Sequence, residues 1–347
     1  MFAIRKIKAG KGGLSLDQVD CREPGPGEVL LKVSAAGICG TDMHIFHWAK
    51  WLEGRLPLPV TLGHEVAGIV VKRGPGADRL SDGAVVALES HLPCGRCNVC
   101  MRGQAHVCPN TTYPGMDFDG GFADYAVVPE RICWEIPEGL SPSVAALFEP
   151  FGIGVHSCTV DTGVQGQSVI VSGCGPIGLM AIVTARELGA SEVIAIEVNP
   201  KRLMLAEQLG ATRAFNPRDI SPERIRKQIN GGEGADVYLE YSGAEQSLMA
   251  VPTLLRNGAS LRLIGVPDSA VSLNLVTWLL KGLRIECIHG RKLHDTWVLS
   301  HKLMPRLAKQ LSTLVSHELP LKDGLRGFDL IDQGHGVKVI FRPHAGN

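Results

Sequence analysis

Apolar and polar positions change their rhythm once along this chain, near residue 152. Before that point, short alternating runs at 28–33, 67–72 and 84–88 are separated by the turns Pro24-Gly25-Pro26-Gly27 and Gly74-Pro75-Gly76. Runs of this length bounded by Gly and Pro predict strands, and hence a β-rich domain. Beyond it, apolar strands at 168–171, 192–197, 236–240 and 260–264 alternate with helical patterns at 179–188, 200–209 and near 244–255. Repeated strand–helix alternation predicts a parallel, doubly wound sheet, so the fold class is α/β with two domains. The alternation stops near Ile288, and a helix over 295–310 and a closing strand over 337–341 are expected to rejoin the first domain.

Composition narrows the range of partners. With 347 residues and 45% hydrophobic positions the chain can bury a sizeable core, which excludes disorder. Thirty-five basic residues balance thirty-five acidic ones without a run of either sign, so no nucleic-acid partner is expected and a small ligand fits better. The longest apolar stretch, 169–183, is interrupted by Gly173, Gly175, Pro176 and Gly178 and is too short to span a bilayer. The first residues are charged from Arg5 and contain no apolar core of a signal peptide, which makes the cytoplasm the expected compartment. In that reducing setting the clustered part of the ten cysteines is expected to bind metal rather than form disulfides.

Where the rhythm changes, the strand residues Val169-Ile170-Val171 run into Gly173-Cys174-Gly175-Pro176-Ile177-Gly178 and then into a helix. The first glycine permits the turn, the second lets the backbone approach a pyrophosphate, and the third allows close helix–strand packing. The helix start offers N–H groups and a positive dipole to phosphates, as in a Rossmann domain. Glu197 closes the second strand of this unit, near the spacing of a carboxylate that binds a ribose diol, so NAD is expected over NADP. Arg202 complicates the choice, since it suits either a 2′-phosphate or the adenine face.

Two further constellations carry metal chemistry. Cys94, Cys97, Cys100 and Cys108 follow C-x2-C-x2-C-x7-C, which suits one closed, tetrahedral structural zinc, with an iron–sulfur cluster as the chemical competitor. Cys39, in Gly37-Ile38-Cys39-Gly40-Thr41-Asp42-Met43-His44, and His64, in Gly63-His64-Glu65, supply a thiolate and an imidazole. A carboxylate from Glu65 or from Glu149 would complete a three-ligand catalytic site with one open position.

Taken together and in this order, these motifs resemble the zinc-dependent medium-chain alcohol dehydrogenase family over essentially the whole chain. The resemblance implies a GroES-like catalytic domain, 1–151 with 291–347 and a zinc lobe at 91–109, and a Rossmann coenzyme domain at 152–290. It also implies one catalytic and one structural Zn2+ per chain, NAD, a small secondary alcohol as substrate, and a homotetramer. The stretches Asp42-Met43-His44-Ile45-Phe46-His47-Trp48, Glu149-Pro150-Phe151-Gly152 and Gly290-Arg291-Lys292-Leu293-His294-Asp295-Thr296-Trp297 look most like the family's threonine-oxidising members. Ile153 departs from their pattern and leaves polyol or aminocyclitol oxidation as the alternative.

From the same resemblance, Thr41 is expected to take the substrate hydroxyl proton and His44 to carry it to solvent. Glu149 is expected to act catalytically beside the metal, and His91 to lie near the substrate. Ile177, the segment Ile264-Gly265-Val266 and the pair Ile288-His289 are expected to contact the cofactor at strand ends. Arg291 is assigned either to a substrate carboxylate or to a cofactor phosphate.

Overall fold

The computed structural model describes residues 1–267 and 269–344. The chain forms two compact units, Met1–Pro150 joined by the C-terminal residues from Lys292 onward, and Phe151–Arg291. Phe151 and Arg291 therefore fall in the second unit, not the first. The N-terminal cut lies inside one continuous helix, Phe148–Thr159, which has no turn residue to mark it.

The first unit is built on a seven-stranded sheet. Its path runs Val315–Leu319, Lys338–Phe341, Glu28–Gly37, Glu65–Arg73, Val85–Leu88, Cys133–Glu135, with Tyr125–Pro129 also pairing Glu28–Gly37. Residues 28–33 alternate buried and partly exposed positions, as a sheet with one covered face requires. The same strand is buried on both faces from Ala35 to Gly37, where the last strand pairs through Phe341↔Ala36 and Ile340↔Gly37. The C-terminal strand thus does rejoin this unit, and it covers the end of the sheet where Cys39 follows. Leu31, Val33, Val66, Phe122, Phe328 and Phe341 belong to its core. A second, three-stranded sheet orders Leu14–Gln18, Phe2–Lys6 and Val60–Thr61.

In the second unit six strands run parallel, in the order Arg213–Phe215, Glu192–Ile196, Ser168–Ser172, Ala235–Glu240, Leu255–Leu263, Arg284–Cys287. The strand earliest in sequence lies in the middle, so the order reverses beside Ser168–Ser172. That is the doubly wound, Rossmann arrangement, in which ligands bind beyond the carboxyl ends of the strands at the reversal. Ile170, Ile194, Tyr238, Val251 and Leu261 pack among the residues of its core.

Several boundaries differ from the sequence-based expectation. The helix after the glycine turn starts at Pro176, three residues early, because a proline at the first helical position has its φ set and lacks only an N–H that would have no partner. The strand expected at 260–264 begins at Leu255, which pairs Ala235 across a bulge. The helices Gly40–His47 and Phe148–Thr159 interrupt a region whose pattern predicts strands alone. Among the described residues, no helix is long and apolar enough to cross a membrane.

Burial divides the cysteines outside the two clusters. It pushes the thiols of Cys133 and Cys158 up to about 12 and raises that of Cys174 as well, whereas Cys21 is exposed. Since the thiolate is the reacting form, alkylation of the native protein near neutral pH should modify Cys21 and spare Cys133, Cys158 and Cys174. Peptide mass mapping before and after unfolding measures this.

Candidate active site

Antiparallel pairing of Glu28–Gly37 with Glu65–Arg73 ends on Gly37 opposite Glu65. Cys39, two residues beyond one strand, and His64, one residue before the other, therefore emerge at the same place. Cys39, His64 and Glu65 each offer a ligand atom, all within 4.8 Å of one another. A Cβ at 37 would press on the Glu65 carboxylate and force it to move, so the glycine lets that carboxylate keep its place.

Cys39 also caps the helix Gly40–His47, and its backbone N–H donates to Asp42 Oδ2 at 2.8 Å. The capped first turn sets Thr41 beside the thiol, with Oγ1 3.9 Å from Cys39 Sγ. One turn on, His44 stands on the exposed side, edge-on to Trp51 with ring centroids 6.1 Å apart. Asp42, which sequence reasoning did not assign, is fully buried, and its Oδ1 lies 4.0 Å from His64 Nδ1.

The electrostatics are those of a cation site. Burial opposes a charged imidazole at His64, yet the Cys39 sulfur, Asp42 and Glu149 carry it well above its ordinary value. At Glu65 burial raises the carboxyl, the Lys338 ammonium pulls it back down, and Glu149 pushes it up again. Lys338 is buried, forms an ion pair with Glu65, and donates to Ile38 O at 2.9 Å. A half-buried thiolate with a buried imidazole and a buried carboxylate, and surplus negative charge beside them, fit a zinc ion.

Glu149 is the carboxylate of a second buried group. It shares ligand-atom distances within 4.8 Å with Glu89 and His91, and accepts from Ser90 Oγ at 2.6 Å. His91 also packs edge-on against Tyr113, with centroids 5.1 Å apart. The fold thus brings both residues expected near the substrate into one network.

In the four-cysteine lobe, sulfur separations are 3.5 Å for Cys97–Cys100, 3.7 Å for Cys97–Cys108 and 3.6 Å for Cys94–Cys108. Metal–sulfur bonds of about 2.3 Å in a tetrahedron require sulfur edges of about 3.8 Å. The spacing therefore suits one tetrahedral ion rather than a cluster, whose thiolates sit on separate irons. Backbone N–H groups of Arg96 and Cys97 draw the Cys94 thiol down to about 6, toward the thiolate a metal needs.

In the second unit Gly173 has φ 89°, a left-handed conformation that glycine adopts without strain, and Gly178 abuts the Gly173 carbonyl where a Cβ would not fit. Gly175 caps the helix that begins at Pro176, placing Ile177 in its first turn. Glu197 is buried, accepting from Cys174 N at 2.8 Å and from Asn199 N at 2.9 Å. This carboxylate is held against the glycine turn, and Arg202 stands half-buried in the first turn of Pro200–Gln208.

Ile264 and Gly265 continue from Leu255–Leu263, their N–H groups donating to Glu240 O at 2.9 and 2.8 Å, with Val266 exposed beyond them. Ile288 follows Arg284–Cys287 and donates to Leu263 O at 2.8 Å, with His289 exposed next to it. All five thus sit past the carboxyl ends of parallel strands. Arg291, the last residue of the second unit, is buried.

Lys338, Glu89, Ser90 and Trp297 were also missed as site residues from sequence. Their partners are remote, Lys338 from Ile38 by 300 positions and Trp297 from Glu89 by 208. Trp297 closed a stretch that resembled the family, but nothing in that pattern tied it to Glu89.

Comparison with known proteins follows the same division. Residues 25–138 match the alcohol dehydrogenase GroES-like domain, and residues 176–305 match the zinc-binding dehydrogenase family. The chain is 40% identical to the L-threonine 3-dehydrogenase of Pyrococcus horikoshii, over 98% of either protein. Among solved structures, galactitol-1-phosphate dehydrogenase from Escherichia coli superposes with a TM-score of 0.91 at 27% identity, covering 99% of this chain and 100% of that one. A zinc-binding dehydrogenase from Sinorhizobium meliloti bound to NADP superposes with a TM-score of 0.90 at 31% identity, covering 99% of each.

The two donor sets should empty independently. Gly37→Ala, which drives a methyl group into Glu65, should weaken metal retention at Cys39, His64 and Glu65 by about 10–100-fold and leave the four-cysteine lobe loaded. Cys97→Ser should do the reverse. Metal content per chain after dialysis against a chelator, by atomic absorption, checks both.

Proposed function

This chain belongs to the zinc-dependent medium-chain alcohol dehydrogenases, and from that membership we propose that it oxidises the secondary alcohol of L-threonine to 2-amino-3-oxobutanoate with NAD+. The observation that carries the reading is the Cys39, His64, Glu65 donor set with Thr41 beside it and Glu149 nearby, in a chain so similar to a threonine 3-dehydrogenase. Zinc at that set would supply a Lewis acid that lowers the pKa of the substrate hydroxyl, and NAD on the glycine turn would supply the hydride acceptor.

The chain's own groups manage protons and charge. Thr41 Oγ1 would accept the hydroxyl proton while passing its own onward, and His44, on the exposed side of the same helix, would release a proton to water; NAD+, when bound, would accept the hydride from C3. The products are the 3-oxo acid, NADH and one proton. Glu149, fixed by Ser90, places a carboxylate where the substrate ammonium is to be held. NAD is favoured because the Glu197 carboxylate, held on the glycine turn, repels a 2′-phosphate.

The remaining parts of the reading concern zinc count, compartment and assembly. Cys39, His64 and Glu65 would hold one zinc and the four cysteines of the lobe another, and a reducing cytoplasm would keep these thiols from forming disulfides. A homotetramer is supported by the outer strand Arg284–Cys287 and by Leu275, Val276, Leu279 and Leu280, all strongly exposed on one short helix. Polyol or aminocyclitol oxidation is the second reading, favoured by the apolar Ile153 four residues after Glu149.

A substrate panel read near 340 nm, the approximate NADH band, tests substrate and cofactor together. Threonine with NAD+ should give the highest kcat/KM, and NADP+ should be poorer. Faster turnover of a polyol or an aminocyclitol would replace the threonine reading. Thr41→Val should lower kcat by about 100-fold or more at unchanged metal content.

A further inference from the structure

We propose that Glu89 and Trp297 are positioning residues that fix the proton of His91 on Nδ1 and, through Ser90, aim the carboxylate of Glu149. The inference deepens the reading above and rests on it only for the choice of substrate.

Three donors converge on the buried Glu89 carboxylate. Trp297 Nε1 donates to Oε2 at 2.6 Å, the His91 backbone N–H donates to Oε1 at 2.8 Å, and His91 Nδ1 lies 3.0 Å from that same Oε1. Indole and amide N–H groups have no acceptor to offer, so Glu89 must accept from both, as an ionised carboxylate does. An unprotonated Nδ1 would set its lone pair against a carboxylate oxygen. The proton of a neutral imidazole therefore resides on Nδ1, and Nε2 keeps its lone pair.

The same proton settles the next link. Ser90 Oγ lies 3.1 Å from His91 Nδ1 and 2.6 Å from Glu149 Oε1. Its hydroxyl has one proton, which goes to the acceptor-only carboxylate, while its lone pair receives from Nδ1–H. Donation then runs in one sense only, from Trp297 to Glu89, from His91 to both Glu89 and Ser90, and from Ser90 to Glu149.

Trp297 keeps that sense from reversing, because an indole only donates. Its ring is held in parallel stacks, 5.4 Å from Trp134 at 3° and 5.6 Å from Phe148 at 2°. Phe148 is the residue before Glu149, so one stack steadies both ends of the network. Outer-shell hydrogen bonds of this kind orient a catalytic group without touching substrate.

Glu89→Leu is the decisive variant, since it removes both acceptor oxygens and with them the demand for a proton on Nδ1. In enzyme labelled with 15N-histidine, assigned by a His91→Asn control, the His91 signal should move from the Nδ1–H to the Nε2–H tautomer. Its kcat should fall about tenfold or more, on whichever alcohol the wild type oxidises, with metal content and KM for NAD+ unchanged. Glu89→Asp should recover the Nδ1–H tautomer and most of the activity.

Trp297→Phe keeps the stack and the Glu89 Oε1 acceptor and loses only the indole donor, so the Nδ1–H tautomer should persist while kcat falls. An Nε2–H tautomer in the wild type, an unchanged tautomer in Glu89→Leu, or a kcat within about twofold of wild type in either variant where losses of this kind run to tenfold or more, overturns the proposal. The tautomer is read without substrate, so its failure is separate from a failure of the threonine reading.

Discussion

The metal chemistry of the first unit depends on one register. Pairing Gly37 with Glu65 makes two strands stop together, so that a thiol and an imidazole leave them side by side. A slip by one residue would turn Glu65 to the opposite face of the sheet and bring a side chain other than glycine against it. Pairing is fixed by the apolar alternation of residues 28–33 and by the last strand, which closes over Ala35–Gly37. Core packing and site assembly are thus the same event there.

That economy puts charge where the protein is driest. Asp42, Glu65, Glu89 and Glu149 are all buried in this unit, against the strong preference of carboxylates for water. Each has a named partner: Cys39 N–H for Asp42, Lys338 for Glu65, Trp297 and His91 for Glu89, Ser90 for Glu149. Removing one member of a buried ion pair costs about 3–5 kcal/mol, a large share of the roughly 5–15 kcal/mol that holds a domain folded. Lys338 therefore belongs to the stability of the sheet as much as to the site.

What could be read from the sequence was what is local in the sequence. The glycine turn, the four cysteines and the parallel alternation each lie within a few dozen residues, and their period or spacing reflects their geometry directly. The helix Gly40–His47 escaped notice because its apolar face is short and its cap is a cysteine, outside the usual set of capping residues. Glu89, Ser90 and Trp297 could not be joined because nothing in a linear pattern links a carboxylate to an indole 208 positions away. Arg291 looked like an anion receptor by residue type and proved to be interior, a distinction only burial can make.

The two donor sets differ in one more respect, the length of chain each requires. Cys94 to Cys108 lie in a single loop, whose closure costs little entropy at any stage of folding. Cys39, His64 and Glu65 are also close in sequence, but the carboxylate pairs with the ammonium of Lys338, on the closing strand. During synthesis the four cysteines can therefore come together on the ribosome, whereas Cys39, His64 and Glu65 reach their final electrostatic balance only after the C-terminal strand has emerged.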